Sequence, residues 1–190
     1  MDRSLADKTN VRICRDPLVR RRESLGVLHT RVVAPTNLLD VFVDAAALWE
    51  IAAAEGGQEL IDTATQALVD GLDTPSLGEL AGFSGLESYW TLHPIVESAL
   101  RELSLAFLTG EAAQSAALRA MCRRLERQRV DERQLAAWAA NNLGWDGPPE
   151  SEMLVQLNAA YSEIGVLQVT AAELHASVRK EAHRLLKVRS

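Results

Sequence analysis

No lysine or arginine occurs between Arg31 and Arg101, a stretch that holds 11 aspartates and glutamates. A surface that approaches a phosphate backbone needs cations, so this stretch is excluded as a specific DNA reader. Cysteine is scarce: Cys14 and Cys122 are the only two, and neither has a nearby pairing partner or a metal-ligand spacing. That predicts reduced thiols in a cytoplasmic protein. No segment approaches 18 uninterrupted apolar residues, and no early apolar run is long enough for a signal peptide, so no membrane partner is expected.

The short catalytic and metal signatures are missing as well. There is no HExxH or CxxC, no G-x-S-x-G, and no Glu-x-x-His pair of the di-iron type. His175 and His183 stand eight residues apart, about 12 Å along a helix, too far to share one ion; they are expected on the surface. Asp40 and Asp44, one turn apart on a helix that carries no base, read as a solvated face. No catalytic residue, cofactor or metal is therefore assigned. An enzyme whose groups assemble from distant positions stays open.

What is present is material for helices. The 190 residues are 47% hydrophobic and 24% charged, enough to bury a core without disulfides or a structural metal. Alanine, leucine, glutamate and arginine favour helix. The net charge of −6 conceals a division: residues 1–31 carry eight bases against four acids, and the remainder 12 bases against 22 acids. A basic arm on an acidic body points to self-association, or to separate partners for the two parts.

Residues 1–36 are polar, Arg-rich and aperiodic, predicting a flexible, partly disordered arm, with a short strand possible at Val27–Ala34. From Pro35 the period becomes helical. Thr36 or Asn37 caps a helix to about Ala54, with Leu38, Val41, Phe42, Ala45, Leu48, Trp49 and Ala52 on one face, and Gly56-Gly57 breaks it. A second helix spans about 58–69. Gly71 closes it, Asp73-Thr74-Pro75 turns, and Ser76 with Glu79 reads as a capping box for a short helix to Ala81. Then come helices over about 87–105, with His93 at a Pro94 kink or acting as a cap, about 112–129, 131–143, 151–161, and from the Thr170–Glu173 capping box to about Lys187. Gly144 to Pro149 is a loop. No repeat of fixed period appears. The fold class is all-α: a single compact domain of seven to eight helices, residues 37–187.

Two segments carry a resemblance. Gly71 to Gly82 (GLDTPSLGELAG) resembles a G-x-D-[ST]-P-x-L-x-x-LAG segment found in a family of all-helical proteins of high-GC actinobacteria. Asn142 to Tyr161, with Gly144, Asp146, Gly147, Pro148, Leu157 and Tyr161, is similar to a later segment of those proteins. The resemblance implies a shared unit over about residues 37–187 and carries no assigned activity. Asn158-Ala159-Ala160 before Tyr161 and Ser162 after it depart from the acidic pattern expected there.

Glu79 to Ser84 also looks like the turn of a helix-turn-helix reader, but the position six after Gly82, where that motif needs an apolar residue, is Ser88. Among the tryptophans, Trp49 and Trp138 fall on helical stripes and are expected in the core. Trp90 and Trp145 are candidates for exposed interface anchors. The leading expectation is a non-enzymatic protein-protein interaction protein, of the immunity, antidote or adaptor type. It would meet a basic partner through Asp73, Glu79, Glu87, Trp90, Glu97 and Trp145. The alternatives are a small-molecule sensor or enzyme with an inter-helix pocket, and a homodimer in which the arm of one chain lies on the acidic face of another.

Overall fold

A computed structural model describes residues 38–164 and 169–187; the expected N-terminal arm, the Val27–Ala34 strand and Cys14 lie outside them. The order of elements is α1 (Leu38–Ile51), α2 (Ala53–Val69), α3 (Pro75–Ala81), α4 (Tyr89–Glu102), α5 (Gly110–Glu126), α6 (Glu132–Asn142), a 3-10 turn (Pro149–Ser151), α7 (Glu152–Ser162) and α8 (Ala171–Lys187). The architecture is all-α, with eight α-helices and no strand among the described residues. None of these helices is long and apolar enough to cross a membrane.

The wide apolar face of α1 is used twice. Phe42, Ala45, Ala46 and Trp49 enter one cluster with Leu60 and Ala64 of α2, Leu77 and Leu80 of α3, and Leu92 and Val96 of α4. Ala47 and Leu48, on the adjoining strip, enter a second cluster with α5, α6, α7 and α8, where Leu118, Cys122, Leu135, Leu154 and Val178 are fully buried. Alanines 113, 116, 117 and 120 line the buried side of α5, and small side chains let helix axes come close. Burial pushes the Cys122 thiol up to about 12, leaving it a small core hydrophobe.

Charge follows the same division. Residues 38–100 hold 11 acids and no base, whereas residues 101–187 hold 11 of each. Two adjacent arginines of α5 reach across: Arg123 makes a two-pronged bond to Asp44 of α1, and Arg124 bonds Glu59 of α2. Asp44 is thus not part of a solvated face. Its base is supplied from 79 residues away, a pairing that no local pattern reveals. Burial works against the charge on Arg123, but the hydrogen bond and charge of Asp44 outweigh it and hold its pKa above the ordinary value.

The first helix ends earlier than its periodicity predicts. The break falls at Ala52 (φ −131°, ψ 58°), and Gly56 and Gly57 sit inside the first turns of α2. These glycines allow close approach rather than breaking the helix. A Cβ on Gly56 would lie 2.8 Å from the Trp49 Cα, and one on Gly57 2.9 Å from the Gly85 carbonyl oxygen. Pro94 lies inside α4. The bond it removes is the one to the Trp90 carbonyl, on an exposed residue where water can replace it. His93 does not cap the helix, which Ser88 does; its ring packs among Tyr89, Trp49 and Phe107.

The starts of α6 and α8 follow the expected signals. Asp131 and Gln134 form a reciprocal capping box. At α8 the Thr170 N–H donates to Glu173 Oε2 (2.8 Å) and the Glu173 N–H donates to Thr170 Oγ1 (3.3 Å). In the second cluster the Tyr161 hydroxyl is buried without a hydrogen-bond partner, and burial raises its pKa.

The glycine contacts predict two substitutions of opposite sign. Gly56→Ala should destabilise by about 1–3 kcal/mol through overpacking against Trp49. Gly78→Ala, in α3 where an added Cβ meets nothing within 4 Å, should stabilise by about 0.5–1 kcal/mol through helix propensity. Urea midpoints of the two variants, compared with wild type, check both signs.

Candidate protein-binding surface

Helices α2, α3 and α4 meet through two short connections, and both are tied down by backbone chemistry. At the end of α2, Gly71 takes φ +93°. Its N–H donates to the Leu68 carbonyl, and the Leu72 N–H donates back to the Ala67 carbonyl (2.9 Å), the paired closure that a left-handed glycine permits. Thr74 then caps α3 and Pro75 occupies its first turn. The expected Ser76–Glu79 capping box does not form. Ser76 is buried, and its N–H (3.0 Å) and hydroxyl (2.7 Å) both donate to the carboxylate of Glu102. An acid at the far end of α4 thus satisfies the start of α3, 26 residues earlier in the chain. Those two donations hold the Glu102 carboxyl below the ordinary range.

The connection from α3 to α4 is folded around Glu87. The Ser84 N–H (3.1 Å) and hydroxyl (2.9 Å) both donate to the Glu87 carboxylate, and the Ser84 N–H chiefly lowers its pKa. Gly85, at φ +81°, lies so close to α2 that a Cβ would come within 2.9 Å of the Gln58 Cα. Ser88 caps α4 by accepting the Thr91 N–H at 3.3 Å. On this fixed backbone stand two large apolar side chains, Leu86, 91% exposed, and Trp90, 83% exposed.

The base beneath Trp90 is a packed aromatic column. Its ring meets Tyr89 edge-on with centroids 5.3 Å apart. Tyr89 in turn stacks on the buried Trp49 at 5.0 Å, and its hydroxyl donates to the Glu50 carboxylate at 3.0 Å. Partial burial and that carboxylate raise the Tyr89 pKa. An exposed aromatic mounted on a packed aromatic column loses little freedom on binding.

The six residues expected at an interface fall into three groups. Asp73 and Glu79 are exposed, on the α2–α3 turn and on α3. Trp90 lies on the first turn of α4, after the connection from α3. Glu87 and Glu97 are engaged within the chain, Glu87 by the Ser84 turn and Glu97 by Arg101 at 2.7 Å. Trp145, 65% exposed, belongs to the loop between α6 and the 3-10 turn. Two contributors escaped sequence reasoning. Leu86 has no periodic neighbours to mark it, and Glu102 looks like an ordinary helix-end acid. The Gly82–Gly85 spacing signals a constrained loop, although it does not reveal that Leu86 stands out from it.

Other candidate chemistry disperses. His183 Nδ1 is 2.9 Å from Glu126 and His175 Nδ1 3.9 Å from Glu132, each histidine facing its own carboxylate. Among the described residues, no group of three or more His, Cys, Asp or Glu is placed to hold a metal ion. The chain matches no protein-family model, no curated protein and no solved structure. The functional reading therefore rests on geometry.

Because the Glu102 pKa is lowered in the folded state, its contribution is present above the ordinary value of 4.5 and is lost as pH falls through the depressed value. Glu102→Gln should therefore lower the melting temperature at neutral pH and flatten its decline below about pH 4.5. Melting curves of both proteins across that range, converging at the acid end, are the expected result.

Proposed function

We propose that this chain is a non-enzymatic protein-binding protein, of antidote or adaptor type, that meets a basic partner through the α3–α4 surface. One observation carries the reading. Leu86 and Trp90, nearly fully exposed, are held on a constrained backbone within a stretch of 11 acids and no base. Exposed apolar side chains that form one patch rimmed by polar residues mark an interaction site. An aromatic anchor rimmed by charge of one sign is the pattern of an interface that selects its partner by charge and holds it by burial.

The division of labour among the acids sharpens the test. Asp73 and Glu79 are free to steer a partner, whereas Glu87 and Glu97 already serve the fold. Asp73→Lys with Glu79→Lys should slow association with a captured partner about tenfold or more at low salt, and much less at high salt. Trp90→Ala should instead speed dissociation, costing about 2 kcal/mol. Surface plasmon resonance at two ionic strengths separates the two effects. Unchanged kinetics in both variants would remove this reading.

A further inference from the structure

The second cluster carries charge of the opposite sign on its surface. Residues 119–133 and 179–187 hold ten bases against four acids. They belong to the end of α5, the start of α6 and the second half of α8, and all three segments line one cleft of about 820 Å³, within the size range of binding sites. The four acids are engaged inside the chain. Glu126 bonds His183 at 2.9 Å, Glu132 bonds Arg179, Glu181 bonds Arg184, and Asp131 caps α6. Two of the bases, Arg123 and Arg124, are taken up by Asp44 and Glu59. Arg127, Arg129, Arg133 and Lys180 are exposed and make no ion pair among the described residues. Arg129 lines the cleft, together with the half-buried apolar side chains of Leu125 and Val130.

This cleft complements the α3–α4 surface of the same chain. That surface offers two exposed apolar anchors, Leu86 and Trp90, with free acids at Asp73 and Glu79. The cleft offers an apolar lining with free cations beside it. We propose that, where no partner holds the α3–α4 surface, the basic cleft of a second copy covers it, so that self-association competes with partner binding. This inference rests on the docking role proposed for Leu86 and Trp90. Because the two patches differ, the contact is heterologous: each copy presents an anchor to one neighbour and a cleft to another. The net charge of −6 opposes the approach of two copies, but at about 0.1 M salt the screening length is only about 10 Å. Contacting patches then outweigh the repulsion of the whole.

Sedimentation velocity of the full chain, from about 5 μM to about 500 μM, tests this. At about 0.1 M salt the average mass should rise above the monomer with a Kd below about 100 μM, and the rise should shrink at about 1 M salt, where screening reaches about 3 Å. Trp90→Ala and Arg129→Glu, both at exposed positions and each verified as folded by circular dichroism, should weaken association about tenfold or more. Mixed in equal amounts, the two variants should pair one to one and stop there, since one retains the cleft and the other the anchor. A monomer at every concentration overturns the inference without touching the docking role, which the kinetics of Trp90→Ala with a captured partner test separately. Association that neither variant weakens, or wild-type association with none in the mixture, overturns it as well.

Discussion

The structure depends on how closely α2 can fold back on α1. The two helices are almost continuous in sequence, separated only by Ala52, and the turn between them works because Gly56 presents no side chain to Trp49. Trp49 stays buried and in register with Tyr89. One residue further, Gly57 lets the Gly85 carbonyl approach α2 to within contact distance, which fixes the loop that carries Leu86. Two adjacent glycines thus set both the core and the exposed surface above it. Close packing makes such positions intolerant of even one added carbon.

Charge is arranged around that contact. The acids between Arg31 and Arg101 repel one another, and no base within that stretch relieves them. The paired arginines of α5 do so at Asp44 and Glu59, tying each of the first two helices to the second cluster. Other acids serve hydrogen-bonding roles inside the chain: Glu50 for Tyr89, Glu87 for Ser84 and Glu102 for Ser76. What remains for a partner is a smaller set than the composition suggests, led by Asp73 and Glu79. A surface in which most charges have internal duties and a few remain free is more selective than a uniformly charged one, because the free charges occupy fixed positions.

Helix periodicity made most of the architecture legible. The apolar face of α1, the Asp131 and Thr170 starts and the Gly71 stop all follow from local chemistry that the sequence displays. The misreadings share one cause, a tertiary contact that the local pattern does not display. Gly56 and Gly57 look like a helix breaker because a glycine chosen for close approach is identical, in sequence, to one chosen for flexibility. Ser76 with Glu79 satisfies the capping-box pattern, yet Glu102 supplies a better acceptor. Asp44 looks solvated because Arg123 cannot be seen from its own helix. The exposure of Trp90 was legible as a candidate, whereas Leu86 was not, since only the loop geometry turns it outward.

The central claim is that the fixed pair Leu86 and Trp90, set in an acidic surface, is a docking site for a basic protein. The most direct measurement is quantitative affinity capture from native lysate with wild-type protein and with the Leu86→Ser/Trp90→Ala variant, each verified as folded, at low and high salt. A basic protein recovered by wild type at low salt, depleted by the variant and released by high salt is the predicted result. Recovery of the same proteins in equal amount by both, at either ionic strength, would contradict it.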